Sequence, residues 1–345
     1  MARPAFLSRF SRSDWQVWAA LLIVYFVWGS TYLAIRVMVE SMPPLIAGGA
    51  RFLVAGLILG GVLLLRGAGP RFRVSRAELG GAALVGLLLL LLGNGGVSFG
   101  EQTVPSALAA LIVGVIPLIV LIIRRIAGER ISTMALGGVV LGFVGLAVLV
   151  VPRGIDGTVS LVGVAILLVA SVAWAAGTYL SGRVALPDDP FVSTTYQLLF
   201  GGSMLLVAGT LLGESSGIHL ESFSQASFWA LGYLIVFGSL LAYTAYTWLL
   251  QNAPVSKVAT YAYVNPVVAV VLGFLILQED ISLPMLLGAV LIVASVAFTI
   301  RTTVGGSKSE ESVPPARDAG DAHGAAHQRR TEGGAEPSGA RPTGG

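Results

Sequence analysis

The chain contains no cysteine, and this absence excludes several kinds of chemistry. Without cysteine there is no disulfide, no thiolate nucleophile, no cysteine-ligated zinc and no haem thioether. The three histidines, His219, His323 and His327, all lie outside the long apolar segments, so they cannot form a histidine relay or a metal cluster within a membrane. We therefore expect no metal, no cofactor and no redox activity.

Charged side chains are scarce as well. Asp, Glu, Lys and Arg make up 11% of the 345 residues and hydrophobic residues make up 55%, whereas soluble domains average about 25% charged residues. A water-soluble globule of this composition could not cover itself with polar surface, so the lipid bilayer is the expected partner. The net charge is only +3, and no basic stretch interleaved with aromatic residues indicates nucleic-acid binding.

Apolar segments of about 20 residues recur along the chain, which is the length that a helix needs to cross a hydrocarbon core of about 30 Å. They predict an all-α membrane protein with ten transmembrane helices. The predicted helices are Trp18–Val37, Pro44–Leu65, Leu79–Val97, Pro105–Ile123, Thr133–Val151, Ser160–Leu180, Phe191–Leu212, Phe228–Leu250, Pro254–Leu277 and Leu283–Ile300.

The distribution of arginine predicts the orientation, because short loops rich in Lys and Arg stay on the cytoplasmic side of a membrane. Arginines precede helix one, separate helices two and three, and follow helix four, so these loops share one face. The opposite loops, with Arg153 as the main basic exception, carry six acidic residues: Glu40, Glu101, Glu214, Glu221, Glu279 and Asp280. We expect a multi-pass protein of the plasma (cytoplasmic) membrane with both termini in the cytoplasm.

The two ends of the chain are predicted to be peripheral. Residues 1–17 are expected to form a cytoplasmic segment before helix one. The first apolar stretch is typical of a signal anchor, because it is too long for a cleaved signal peptide and has no small-x-small cleavage site. Residues 301–345 are rich in Gly, Pro, Ser, Glu and Arg, so they cannot bury enough apolar surface to fold. We expect a disordered cytoplasmic tail rather than a regulatory domain.

The two sets of five helices resemble each other in sequence. EQTVPSALAA at Glu101–Ala110 aligns with LQNAPVSKVA at Leu250–Ala259, which places Gln102 on Gln251. The same offset pairs Pro105 with Pro254, which are expected to start helices four and nine. It also pairs Pro117 with Pro266, which lie deeper and are expected to kink these helices. Helix one is echoed in helix six by a Trp, a Thr-Tyr pair and an Arg in the same order.

This duplication predicts two inverted repeats, residues 18–151 and 160–300. Each repeat has an odd number of spans, so the second copy enters the membrane from the opposite side. Inverted repeats that enclose a central site are typical of secondary transporters, in which the two halves exchange conformations. An old duplication kept only for packing is the alternative.

Four segments resemble the drug/metabolite transporter superfamily, in particular its EamA-type ten-helix exporters. They are VWGSTYLAIR (Val27–Arg36), ARFLVAG (Ala50–Gly56), EQTVPSALAAL (Glu101–Leu111) and YAYVNPVVAVVLG (Tyr261–Gly273). The resemblance covers about residues 15–303. It implies secondary transport, usually outward, of a small metabolite, amino acid or drug across the plasma membrane by alternating access. Import, exchange and lipid-carrier translocation by the same fold stay open.

The resemblance also implies which helices enclose the cavity, namely one, three and four of the first repeat and six, eight and nine of the second, with helices five and ten outside. Carried over to this sequence, it gives eleven candidate substrate-binding residues. They are Trp28, Tyr32, Asn94, Gln102, Trp174, Tyr179, Tyr243, Tyr246, Gln251, Tyr261 and Asn265.

Three charged residues are candidates for gating or coupling. Arg51 lies within helix two, where an arginine must face protein or water; it is either a gate or anion contact, or a structural residue bonded to carbonyls at the end of helix one. Glu101 either gates the outer mouth or takes a proton, or it is a solvated loop residue. Lys257 contacts an anionic substrate or extends to the membrane interface.

Other classes of function have less support. A membrane-embedded enzyme needs a nucleophile, a metal or a pair of carboxylates at a usable depth, and the predicted helices provide none, so we expect no enzyme. No Walker A sequence indicates ATP-driven transport. Glycines at Gly56 and Gly60, and at Gly138 and Gly142, have the spacing that allows close helix packing. We expect packing within the chain, with a homodimer as the alternative.

Overall fold

The computed structural model describes residues 12–155 and 159–310. The chain divides into two units, Met1–Val304 and Gly305–Gly345. The first unit contains the helices predicted to cross the membrane. Most of the predicted terminal segments, residues 1–11 and 311–345, lie outside the described residues.

The described residues form helices and turns and no strand, so the predicted all-α membrane fold is confirmed. Eight helices are long and apolar enough to span a membrane, and the last two contain the shorter apolar stretches Val264–Leu277 and Leu283–Thr299. The ten helices are α1 (Trp15–Val39), α2 (Pro44–Leu65), α3 (Arg76–Gly100), α4 (Ser106–Ile126), α5 (Thr133–Val151), α6 (Leu161–Ser181), α7 (Pro190–Leu211), α8 (Gln225–Asn252), α9 (Tyr261–Leu277) and α10 (Leu283–Glu310).

The boundaries differ from the prediction mainly at the ends of the chain. Helical structure starts at Arg12, earlier than the predicted Trp18. The last helix continues to Glu310, although the sequence predicted that the tail starts at residue 301. Polar residues can continue a helix because each backbone N–H group donates a hydrogen bond to the carbonyl oxygen four residues earlier.

Three of the spanning helices contain a π-helical segment near their middle. These segments are Val24–Trp28 in α1, Leu87–Gly95 in α3 and Leu234–Tyr243 in α8. Wider π-helical turns change the direction of side chains and free some backbone groups from regular bonding, which is why they often occur at functional sites. The segments in α3 and α8 occupy corresponding positions in the two halves of the chain.

The paired prolines act differently in the two halves. Helix α4 is interrupted after Ser106–Val113 and resumes at Ile116–Ile126, with Pro117 in the first turn of the second piece. By contrast, Pro266 lies inside the uninterrupted α9, which follows a separate short helix at Val255–Val258. Pro117 thus coincides with an interruption of α4, whereas Pro266 lies in a continuous helix, and the predicted kink at Pro266 stays a prediction.

Glycine faces pack helices of the first unit against one another. The Cα of Gly56 and of Gly60 faces Leu198 and Thr195 of α7, while Gly142 of α5 faces Ser295 of α10. The predicted packing within the chain is confirmed for these glycines. The tightest approach between α2 and α7 is at Gly202, where an added Cβ would lie 2.7 Å from the Leu53 nitrogen and 3.0 Å from the Gly49 oxygen.

We expect Gly202→Val to destabilise the protein strongly. Backbone atoms cannot move aside as a flexible side chain can, so the new side chain must force α2 and α7 apart, and overpacking of this kind costs roughly 1–3 kcal/mol. Thermal unfolding of the purified protein in detergent measures the loss. Gly61→Val on α2 is the matched control, because nothing lies within 4 Å of its added Cβ. Equal melting temperatures for the two variants would contradict this packing.

Two carboxylates from the second half of the chain cap helices of the first half at one end of the bundle. Glu214 accepts hydrogen bonds from the backbone N–H groups of Leu45 (3.1 Å) and Ile46 (2.9 Å) at the start of α2. Glu279 does the same at the start of α4, from Ser106 (2.8 Å) and Ala107 (3.0 Å). Negative charge is favourable there because the N–H groups of a first helical turn lack partners within the helix. We call this end the Glu101 end, after the turn between α3 and α4.

Candidate functional site: a central cavity

A cavity lies in the middle of the first unit, between helices from both halves of the chain. Its walls come from α1, α2, α3, α4, α6 and α9. The lining residues are Trp28, Thr31, Tyr32, Ile35, Arg51, Gly93, Asn94, Val97, Val113, Ile116, Ala170, Ser171, Trp174, Tyr261 and Asn265. The wall is thus mostly apolar and aromatic, with a few hydroxyl and amide groups and one charged side chain.

Four aromatic rings in mutual contact close one side of the cavity. The ring centroid of Trp28 lies 5.4 Å from that of Trp174, 4.7 Å from that of Tyr246 and 5.6 Å from that of Tyr261. Most of these contacts are edge-on or tilted, as the charge distribution of aromatic rings favours. Tyr246 is fully buried behind the cavity and shares a hydrogen bond of 2.8 Å with Thr178. We call these four rings the aromatic cluster.

The contact between Trp28 and Trp174 is the most informative one for the architecture. These two residues match each other in the sequence repeat, since each precedes a Thr-Tyr pair and an Arg. Residues at corresponding positions meet only near a symmetry axis, so the meeting of the two indole rings indicates that the axis relating the halves passes close to the cavity.

The π-helical segments of α1, α3 and α8 all bear on this site. Trp28 ends the segment of α1, and its indole N–H donates to the carbonyl oxygen of Gly238 in the segment of α8 at 3.4 Å. Gly93 and Asn94, from the segment of α3, line the cavity directly. Irregular helical turns thus bring backbone and small residues to the centre of the bundle.

Arg51 is the one charged residue among those that line the cavity. Its side chain is buried, with 3% exposed, and its Nε donates to the Ser239 hydroxyl at 2.8 Å. Among the described residues it forms no ion pair. The partner seen among the described residues is thus a hydroxyl of α8 rather than the carbonyls at the end of helix one.

Asn265 joins α9 to α1 at the wall of the cavity. With its amide oriented to satisfy its neighbours, the side-chain nitrogen donates to the carbonyl oxygens of Tyr25 (3.0 Å) and Tyr261 (3.2 Å). Tyr25 also makes a close side-chain hydrogen bond to Thr260, in the turn just before α9. These bonds hold α9 against the π-helical segment of α1.

Glu101 lies beyond the cavity, in the turn between α3 and α4, and its side chain is fully buried. Its backbone oxygen accepts a close hydrogen bond from Arg36, which also donates to the Gln102 oxygen at 3.1 Å. Neither carboxyl oxygen has a hydrogen-bond partner among the described residues. Burial, followed by the nearby charge of Glu279, raises the pKa of Glu101 well above its ordinary value, and the positive charge of Arg36 opposes this. The alternative of a solvated loop glutamate is wrong.

Ion pairs join helices at the opposite end of the bundle. Glu129, between α4 and α5, accepts from Arg124 at 2.6 Å and from Arg183, which follows α6, at 2.7 Å. Arg71 and Asp189 form a second bridge of 2.9 Å between the halves. Arg36 and Arg183 match each other in the repeat, so corresponding arginines bind at opposite ends of the protein. We call this end the Arg183 end.

Six of the eleven predicted substrate-binding residues line the cavity together: Trp28, Tyr32, Asn94, Trp174, Tyr261 and Asn265. Tyr246 lies behind them in the aromatic cluster. Of the gating candidates, Arg51 lines the cavity and Glu101 lies beyond it, while Lys257 is directed elsewhere, with its Nζ 4.8 Å from the ring centroid of Trp18.

The other four predicted residues lie away from the cavity. Gln102 is exposed, and Gln251 is exposed beside a small separate pocket. Tyr179 packs under the Arg183 guanidinium at 3.7 Å from its ring centroid. Tyr243 is buried and donates to the Gln197 side chain at 2.7 Å. Tyr243 and Gln251 lie in α8, which was expected to line the cavity but supports the wall from behind, while α2 contributes Arg51 in its place. Gln102, in the turn after α3, and Tyr179, near the end of α6, lie on expected helices but too far along the chain to reach the cavity.

Sequence reasoning did not identify several residues of the site. Thr31 and Ser171 line the cavity one helical turn from Trp28 and Trp174. Thr31 belongs to the VWGSTYLAIR segment, so that segment could have indicated it. Ser239, which holds Arg51, carried no signal, because a serine in an apolar helix usually bonds to its own backbone.

A bundle of apolar helices around a central cavity is typical of a multi-pass membrane transporter. The comparison with protein families agrees and gives the particular family. The EamA-like transporter family matches residues 15–151 and 161–301, so each match covers five of the ten helices. The chain belongs to this family, within the drug/metabolite transporter superfamily, as the resemblance implied.

Individual relatives support the assignment. The chain is 39% identical to the uncharacterized inner membrane transporter YedA of Escherichia coli over 259 residues, which are 74% of this chain and 81% of YedA. It is 31% identical to the uncharacterized transporter YvbV of Bacillus subtilis over 288 residues, 81% of this chain and 90% of the relative. A crystal structure with 19% identity covers 84% of this chain and 97% of its own with a TM-score of 0.58, which supports the fold.

Proposed function

We propose that the protein is a secondary exporter that moves a small organic solute through the central cavity by alternating access. The observation that carries this proposal is the position of the cavity, at the meeting point of matching residues from the two halves. In an inverted-repeat transporter the substrate site lies at this place, and each end opens in turn around it.

The contacts at the two ends support such a cycle. At the Glu101 end, Arg36 binds the turn after α3, and the hydroxyls of Ser41 and Ser227 bond at 2.8 Å between α1 and α8. At the Arg183 end, Glu129 bridges the two halves. Polar contacts of this kind are individually modest in free energy, so they can break and re-form during transport.

Transport explains the site better than catalysis does. The residues that line the cavity include no carboxylate, histidine or cysteine, so the hydroxyl groups of the lining have none of the usual bases beside them to activate them for catalysis. Import, exchange and lipid-carrier translocation use the same geometry. Export is favoured by the family resemblance alone, and an assay in both directions with purified protein in vesicles distinguishes these alternatives.

We expect Trp28→Ala and Tyr261→Ala to reduce transport at least tenfold without reducing the amount of folded protein. Each removes a ring that forms both the aromatic cluster and the cavity wall, and an aromatic contact of this type is worth about 0.5–1.5 kcal/mol beyond its buried area. The substrate for the assay comes from a resistance screen of metabolites and drugs, comparing cells that overproduce the protein with a deletion strain.

Gln102→Ala is the matched control for these variants. The sequence placed Gln102 in the site, but its exposed side chain lies outside the cavity, so transport should be unchanged. Gel filtration in detergent reports folding separately. Normal flux in both ring variants, with the protein folded, would refute the assignment of the cavity.

The orientation and the oligomeric state stay proposals. Cytoplasmic termini place the Glu101 end outside the cell and the Arg183 end inside, in keeping with the arginine-rich loops. Because the chain has no cysteine, a single Gly69→Cys variant labelled by a membrane-impermeant thiol reagent tests this: intact cells should protect it. A homodimer would be seen as a doubled mass in light scattering.

A further inference from the structure

Arg51 has two features that a purely structural arginine lacks. It is almost fully buried, and it lines the cavity of which it is the one charged member. A buried charge is expensive unless it is paired. Among the described residues Arg51 has one hydrogen bond, from Nε to Ser239, and its guanidinium carbon lies 4.6 Å from the Phe52 ring centroid. Its terminal nitrogens therefore have no described acceptor.

The support of Arg51 orients the free part of the side chain. Ser239 holds Nε, which is the nitrogen nearest the helix, and an added Cβ at Gly238 would lie 2.8 Å from Nη2. The absence of a side chain at Gly238 therefore leaves room for the guanidinium. The planar guanidinium group carries its N–H donors in a fork, which matches the two oxygens of a carboxylate.

From this arrangement we infer that the cavity selects an organic monoanion, with its carboxylate on Arg51 and its apolar or aromatic body against Trp28, Trp174 and Tyr261. The inference rests on the proposed transport function and adds the class of solute. One positive charge neutralises one negative charge. A dianion such as a phosphate monoester would keep an unpaired charge in a mostly apolar cavity, so it should bind more weakly.

The neutral polar groups fit the same class of ligand. The Thr31 hydroxyl donates a hydrogen bond to the Trp28 carbonyl oxygen at 2.7 Å, and the Asn265 amide nitrogen donates to backbone carbonyl oxygens. No carboxylate lines the cavity to receive an ammonium group. A cationic drug would therefore face an uncompensated guanidinium, which disfavours it.

Equilibrium binding to the purified protein in detergent tests this inference independently of transport. The probes are matched pairs of carboxylate and carboxamide: butanoate and butanamide, benzoate and benzamide, 3-phenylpropanoate and 3-phenylpropanamide. For at least one pair we expect the wild-type protein to bind the acid roughly tenfold or more tightly than the amide, which is the usual effect of a charge-assisted hydrogen bond. If no acid is preferred to its amide, the inference is wrong.

Variants locate the preference. Arg51→Gln should abolish it, and Arg51→Lys should keep part of it, since a lysine supplies charge without the fork. Arg66→Gln, at the exposed end of the same helix, should leave it unchanged. A preference that survives in a folded Arg51→Gln protein would refute the role of Arg51. If the Gln variant does not fold, the acid–amide comparison in the wild-type and Lys proteins decides. Because these are binding measurements, loss of preference and loss of transport are separate outcomes.

Discussion

Oxidised Ser41→Cys/Ser227→Cys protein should transport at less than about one tenth of the reduced rate. The two serine hydroxyls lie 2.8 Å apart, and they join the end of α1 to the start of α8, so the replacing sulfurs come within reach of a disulfide. The Ser227 hydroxyl also donates to the Val37 carbonyl at 2.8 Å. A covalent bond at this point holds the Glu101 end closed, and alternating access requires that end to open.

The sequence contains no cysteine, so the introduced pair carries the only thiols of the chain and no other disulfide can form within it. Each single-cysteine variant should transport normally under oxidation, and a reductant should restore the double variant. Mass spectrometry after alkylation reports how much protein is crosslinked. Full activity of completely crosslinked protein would show that α1 and α8 stay together throughout the cycle, and the proposed gate would have to lie elsewhere.

The sequence predicted the fold because the bilayer imposes a simple rule on it. Backbone groups in lipid must bond within the segment, so apolar stretches of sufficient length become helices. The centre of the site was predicted by the resemblance to the drug/metabolite transporters, which gave Trp28 and Trp174 as cavity residues. These two residues also hold matching positions in the sequence repeat, and their rings meet at the cavity.

Other parts of the site depend on packing that no local pattern records. The π-helical segments contact neighbouring helices; for example, the Gly238 carbonyl oxygen of α8 accepts a hydrogen bond from the Trp28 indole of α1. The burial of Glu101 likewise comes from residues distant in sequence, among them Arg36. An exposed loop and a buried turn look the same in sequence when both join two apolar helices, and for this reason the two interpretations of Glu101 had equal support.

The buried carboxyl of Glu101 should make the stability of this conformation depend on pH. Its pKa is raised, first by burial and then by Glu279, whereas a glutamate in the unfolded protein keeps its ordinary pKa of about 4.3. Between those two pKa values the folded state holds a proton that the unfolded state has released. Stability is therefore greatest at low pH and decreases as the pH rises towards the raised pKa.

We accordingly expect Glu101→Gln to remove this pH dependence and to raise the melting temperature near pH 8. The amide stays neutral at every pH, so the cost of charging a buried group disappears. The measurement is thermal unfolding in detergent from about pH 5 to about pH 8, where the wild-type curve should decline and the variant curve should not. Glu40→Gln, an exposed residue at the same end, should decline as the wild type does, and a Glu101→Gln curve of wild-type slope would contradict the assignment. The position that matches Glu101 in the second repeat is Leu250, within α8, so a carboxyl group is present at this position in only one half. A flat curve for the variant would thus identify Glu101 as the group whose deprotonation destabilises the folded protein.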